Sequence, residues 1–184
     1  MNTTNGFDVM HVGDTDLLVR PIVIGDVERL DRMFSRLSPQ SVHFRFFSPI
    51  SRPPRAALLH LANVDHRRRD ALVALDGDEI VAVARYDGRS ADRRSGDPNG
   101  VRTPSNQAEI ALTVEDSWQH QGVGYRLACR LSALATDRGY EMFVATMLPD
   151  NRAALGLVRK LVPDADVRFA GGGYEATLPL IRAS

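Results

Sequence analysis

The most distinctive chemistry in this 184-residue chain lies in six consecutive residues, Gln119-His120-Gln121-Gly122-Val123-Gly124. They stand between a strand-like stretch and an amphipathic helical one. The first turn of a helix leaves backbone N–H groups unpaired and carries about half a positive charge from its aligned peptide dipoles. Glycines just ahead of such a turn let a ligand come close to the main chain. Together these features suit phosphate oxygens. Two common phosphate loops do not fit: a dinucleotide fingerprint needs a third glycine where Leu127 stands, and a Walker loop needs Gly-Lys-Ser/Thr, whereas the single lysine is Lys160.

The elements that must position this loop can be read from periodicity. Ala108 to Val114 alternates, with Ile110, Leu112 and Val114 on one face and Glu109, Ala111 and Thr113 on the other. After the loop, Val123, Leu127, Leu131 and Leu134 make one helical stripe that stops at Arg138-Gly139. Met142 to Thr146 reads as a strand, and Pro149-Asp150 as the cap of a helix through Ala154, Leu157 and Leu161. Upstream, a first strand spans Leu17 to Arg20, and Asp26 opens a helix with Val27, Leu30, Met33 and Leu37. Further helix starts are expected at Ser38-Pro39 and at Ser51 with Pro53 and Pro54 just inside. Ala71–Leu75 and Ile80–Tyr86 form a hairpin around Asp76-Gly77-Asp78-Glu79, and Gly171-Gly172-Gly173 turns a last one. Residues 1–8 are expected to be disordered and 87–107, rich in Gly, Ser, Asp, Asn, Pro and Arg, to be a mobile loop. The order defines one mixed α/β domain over residues 1–184, without internal repeats.

Bulk properties narrow the classes. The 23 basic and 23 acidic residues cancel, so no net field draws the chain to nucleic acid or an anionic membrane. Apart from Lys160 every basic residue is arginine; coding bias explains this, and so does an enzyme that acylates lysines and offers few of its own. A sole cysteine, Cys129, precludes an intrachain disulfide and reads as a buried small hydrophobe rather than a nucleophile. With neither a signal-peptide pattern nor an 18-residue apolar run, a cytoplasmic location is expected. No metal is called for.

Gln-x-x-Gly-x-Gly, five residues after a strand and followed at once by an amphipathic helix, resembles the pyrophosphate loop of the GNAT acetyltransferases, Arg/Gln-x-x-Gly-x-Gly/Ala. The surrounding element order is similar over nearly the whole chain. Two segments look like the bacterial protein lysine acetyltransferase branch: Ser41-Val42-His43-Phe44-Arg45-Phe46-Phe47, and Asp65-His66-Arg67-Arg68-Arg69-Asp70 before an apolar strand. Phe44, Phe46 and Phe47 are equally suited to core packing and to substrate contact. Some members append a cyclic-nucleotide or CoA-ligase-like domain, for which this length leaves no room.

The resemblance implies a GNAT acyl-CoA N-acyltransferase fold, a central mixed β-sheet with helices on both faces. It implies acetyl-CoA as cosubstrate, bound where two parallel strands, 108–114 and 142–146, splay apart. Leu112, Thr113 and Val114 would offer backbone groups to the pantetheine arm, and Gln119, His120, Gln121, Gly122, Val123 and Gly124, with Tyr125 and Arg126, would hold the pyrophosphate. Asn151 would contact the CoA arm; read alone, it is equally a helix-start residue. His120 is better placed for a ligand contact than for base work. The reaction is attack of an amine on the thioester, which needs an N–H for the oxyanion and a base for an amine that is protonated at neutral pH. Glu109 is the expected base, at a position where related lysine acetyltransferases place a glutamate, and partial burial is expected to tune it. Where many relatives carry a tyrosine acid, seven residues after the asparagine, this chain has Val158. The expected acceptor is a protein lysine. A small amine and a non-catalytic acyl-CoA sensor are the alternatives, and the chain is expected to be a monomer or homodimer.

Overall fold

A computed structural model describes residues 8–88 and 106–180. One eight-stranded mixed sheet runs in the order β1-β2-β3-β4-β5-β6-β8-β7. Its strands are β1 (Asp8–Val12), β2 (Thr15–Pro21), β3 (Arg69–Asp76), β4 (Glu79–Gly88), β5 (Gln107–Val114), β6 (Met142–Met147), β7 (Asp166–Ala170) and β8 (Gly173–Pro179). The helices are α1 (Val27–Arg36), α2 (Pro39–Phe46), α3 (Arg55–Ala62), α4 (Val123–Asp137) and α5 (Arg152–Leu161). The mixed α/β class holds, and the sheet carries an apolar core on each face. Leu127, Leu131 and Val158, from α4 and α5, pack on one face, while Leu30, Phe34 and Leu58, from α1 and α3, pack on the other.

Local chemistry explains most boundaries. Ser38 caps α2 by accepting a hydrogen bond from Ser41 N at 3.2 Å, with Pro39 in the first turn. The helix ends on Phe47 in the left-handed region, φ 53°. Asp26 begins α1, fully buried, with its carboxylate held by both terminal nitrogens of Arg20 (2.7 Å each) and by Val23 N (2.9 Å). The Asp65 to Asp70 run clamps the hairpin of β3 and β4. Asp65 accepts from the N–H groups of Arg67 and Arg69, Asp70 meets His66 Nδ1 at 2.7 Å, and Gly88 N donates to Arg68 O at 2.7 Å.

Five boundary or burial expectations need correction. Asp8 is not a frayed end but opens β1, which pairs antiparallel with β2 from Asp8↔Val19 to Val12↔Thr15 around a tight turn in which Gly13 has φ +57°. The helix expected at Ser51 starts only at Arg55. Pro54 follows Pro53, which biases Pro53 away from helical geometry, and Pro54 itself is extended at ψ 151°. Of the expected loop 87–107, Asp87 and Gly88 continue β4 and Gln107 begins β5; 89–105 lies outside the described residues, as do Met1–Phe7. The cap of α5 is Asn151 rather than Pro149-Asp150, its Oδ1 accepting from Ala154 N at 3.0 Å. Cys129 is exposed, because the buried stripe of α4 takes Val123, Leu127, Ala128, Leu131 and Ala135 and leaves position 129 on the outer face.

Candidate active site

β5 and β6 are the one parallel pair in the described sheet, and they stay together only over Gln107↔Met142, Ala108↔Phe143 and Glu109↔Val144. Beyond that both continue, β5 to Val114 and β6 to Met147, each hydrogen-bonded only to its antiparallel neighbour. The facing edges therefore present backbone N–H and C=O groups that need partners, which an extended ligand can supply. Into this wedge opens a cleft of about 480 Å³, bounded by α2, β5, the loop before α4, β6 and α5.

The loop shows why its two glycines are spaced as they are. Gly122 is the residue before α4 and has φ +81°, a conformation that suits glycine. Among the described residues no side chain caps α4, so its first-turn N–H groups lack side-chain partners, and Gly122, Gly124 and Tyr125 around them line the cleft. Gly124 serves a different purpose. A Cβ there would come within 3.0 Å of Leu112 Cδ2 and 3.4 Å of Val114 Cγ2, so its absence lets the start of α4 lie close against β5. His120 also has positive φ, 59°.

The expected site residues divide into two groups. Glu109, Leu112, Thr113, Val114, Gln119, His120, Gly122, Gly124, Tyr125 and Asn151 line the cleft. Gln121, Val123 and Arg126 do not. Val123 is buried under the sheet, Gln121 Nε2 donates to Ser117 O at 2.7 Å, and the Arg126 guanidinium turns to His11 O on β1. Within the first group, the Gln119 side chain is already engaged, donating to Val114 O (3.1 Å) and Ser41 Oγ (3.3 Å), so it braces the loop against α2. Asn151 uses Oδ1 as the α5 cap, which leaves its amide N–H groups available. Thr113 Oγ1 is buried without a hydrogen-bond partner among the described residues.

Glu109 sits beside the last paired residue before the strands part, but the expected partial burial is absent: the side chain is exposed. Its charged surroundings lie on the α2 side. Burial lowers the Arg45 guanidinium from its usual range, an effect opposed by Glu109, and pushes Arg85 down to about 10, helped by Arg45 and Arg69. Val158 lines the cleft with no ionisable group. Sequence reasoning passed over several lining residues, among them Arg45, Trp118 and Lys160. Lys160 Nζ lies 4.6 Å from the Tyr125 ring, a cation–π pair at the α4–α5 end. Arg45 lies in the Ser41 to Phe47 segment, which gave it no role of its own; Lys160 carries no motif and enters only because α5 packs beside β5, and Trp118 enters from the turn before the loop.

A cleft between splayed parallel strands, closed at one end by a glycine loop and a helix start, is the architecture of a CoA-thioester transferase. The chain matches the acetyltransferase (GNAT) family profile over residues 34–161 and belongs to that family, as an acetyl-CoA-dependent acetyltransferase. It is 30% identical over 158 residues to an acetyltransferase of Pseudomonas aeruginosa, covering 80% of this chain and 78% of the relative. It is also 31% identical over 147 residues to acetyltransferase Pat of Mycolicibacterium smegmatis, covering 78% of this chain and 40% of that longer protein. Among solved structures, the GNAT domain of S. lividans PAT superposes with a TM-score of 0.83 at 26% identity, covering 98% of this chain and all of that one.

Proposed function

We propose that this enzyme transfers the acetyl group of acetyl-CoA to the side-chain amine of a protein lysine, by direct attack within a ternary complex. The observation that carries the reading is the placement of Glu109. It stands where β5 and β6 part, on a cleft that α2 borders with Phe44 and the exposed Phe47. An open apolar border of this kind accepts the aliphatic stem of a lysine presented by another protein. The likeness to Pat supports the same acceptor class. The first-turn N–H groups of α4 hold the pyrophosphate, and the free edges of β5 and β6 take the pantetheine arm. An N–H between Leu112 and Val114 steadies the developing oxyanion.

Glu109 takes a proton from the acceptor's ammonium, directly or through a water, which its exposure permits, and the free amine then attacks the thioester carbonyl and expels the CoA thiolate. The leaving thiolate needs no dedicated acid, since a thiol has a pKa near ~8.5. The absence of a hydroxyl at Val158 is therefore compatible with turnover. The enzyme acts in the cytoplasm, where an exposed Cys129 remains a thiol.

The test is CoA release with acetyl-CoA as donor and three acceptor sets: unstructured protein extract, lysine peptides and small amines. Fastest release with protein or peptide is expected, with acetyl-lysine as product. Turnover confined to small amines transfers the assignment to that class. Acetyl-CoA binding with no release from any set leaves a sensor.

A further inference from the structure

Two arginines near the acceptor end of the cleft have no carboxylate in direct contact among the described residues. Arg85 projects from the middle of β4 and is 7% exposed, and Arg45 projects from α2. The two line one small void together with Leu61 and Ala111, and Arg45 also borders the main cleft beside Glu109. Among the described residues neither guanidinium is in ion-pair contact with a carboxylate. Among the same residues Arg85 makes a single hydrogen bond, to Leu61 O at 3.2 Å, and Arg45 makes none, its guanidinium lying 5.2 Å from the Phe46 ring centroid. Elsewhere arginines close to the sheet are matched: Arg20 with Asp26 at 2.7 Å, Arg36 with Glu79 at 2.6 Å and Glu115 at 2.9 Å. Removing two like charges from water without an anion is costly, and a guanidinium fork is shaped to take a carboxylate. Ala111, the cross-strand partner of Arg85, lines both the void and the main cleft; the void itself, about 10 Å³, holds no more than a water, so a carboxylate has room only on the cleft side of Arg45.

We propose that Arg45, backed by Arg85, forms a carboxylate-binding subsite beside the reaction centre, whose anion is supplied by a substrate. The proposal rests on the acyl-transfer reading and specifies the chemistry of what is bound. Glu109, on the same face of β5 as Ala111, repels a second carboxylate, so the ligand's anion lies on the Arg45 side and its reacting carbon or amine on the Glu109 side. The carboxylate has two sources: the far end of a dicarboxylic acyl group carried by CoA in place of acetyl, or an acidic side chain flanking the target lysine of the acceptor protein.

Two experiments separate these sources. Calorimetric titration with succinyl-CoA and acetyl-CoA addresses the acyl group. CoA-release kinetics with acetyl-CoA, using a lysine peptide with a flanking glutamate and the same peptide with glutamine in its place, address the acceptor. In at least one arm the wild type is expected to favour the charged partner by about tenfold or more, the scale of one charge-assisted hydrogen-bonded contact. The preference is largely retained in Arg45→Lys and lost in Arg45→Met, with thermal melts verifying that each variant is folded. Equal treatment of charged and neutral partners by the wild type in both arms overturns the proposal, whatever the variants do; so does a preference that persists in a folded Arg45→Met. Failure of the transferase reading looks different: acetyl-CoA binds, no amine releases CoA, and the succinyl-CoA arm still reports on the subsite.

Discussion

Replacing Glu109 by glutamine keeps the side chain's shape and removes its ability to take a proton. The expected result is a fall in kcat of roughly 10²–10⁴ with the acetyl-CoA Kd little changed. Steady-state kinetics from pH 6 to 9, paired with calorimetry, checks this; unaltered turnover across that range assigns the base elsewhere. A second residue governs stability. Burial acts to raise the pKa of Asp26, but its bonds to Arg20 and Val23 N, with Arg29 nearby, outweigh it and leave the carboxyl below its ordinary value. Asp26 therefore contributes stability above the unfolded carboxylate range near ~3.9, and the contribution is lost as pH falls through the lower folded value. Asp26→Asn should cost about 3–5 kcal/mol at neutral pH and flatten the acid limb of the stability curve in denaturant titrations. At this scale the sequence was informative where a residue's role is local. Gly122 was legible because a glycine just ahead of a helix start is a local signal, leaving the main chain open to close approach. Arg126 was not, because its partner lies on β1, and two buried side chains in DVMHV, Met10 and Val12, are too weak a pattern to announce an edge strand.

At the scale of elements, the glycine loop and the start of α4 pack against β5, and its two glycines, Gly122 and Gly124, should fail in different ways. Gly122 has nothing within 4 Å of a Cβ, so Gly122→Ala carries only the strain of φ +81°, on the order of 1 kcal/mol, and tilts the N–H groups around it. Gly124→Val meets Leu112 and Val114 and must push α4 from β5, an overpacking cost of about 1–3 kcal/mol. Both should weaken acetyl-CoA binding, but only the Gly124 change should be relieved by Leu112→Ala. A double-mutant cycle on Kd and melting temperature measures that coupling, and additive effects would remove the packing account of Gly124. A similar brace holds α2 over the cleft: Asp116 accepts from Ser38 N (2.9 Å), Ser38 Oγ (2.7 Å) and Ser41 Oγ (2.8 Å). Strand and helix periods predicted both flanks of the loop. They could not predict this brace, which joins residues more than seventy positions apart and leaves no periodic trace.

At the scale of the whole molecule, the sheet is two antiparallel blocks, β1–β5 and β6–β8, joined by three residue pairs of the β5–β6 ladder and by the helices across it. A cosubstrate bound between the blocks, as proposed above, would complete an interface that the protein alone leaves open. Acetyl-CoA at a hundred times its Kd should stabilise the fold by about 2.7 kcal/mol, raising Tm by roughly 5–11 °C for a domain of this size. The division of that effect along the ligand tests the site assignment. If the α4 start holds the pyrophosphate, pantetheine, which lacks it, should give little shift at the same concentration, and CoA should give nearly the full one. The phosphate-dependent part should be much reduced in the Gly122 variant and unchanged in Glu109→Gln. Differential scanning fluorimetry across the three ligands and two variants reads this directly. Pantetheine shifting Tm as much as CoA would separate the loop from ligand binding and leave the splayed strands as the sole element of the site.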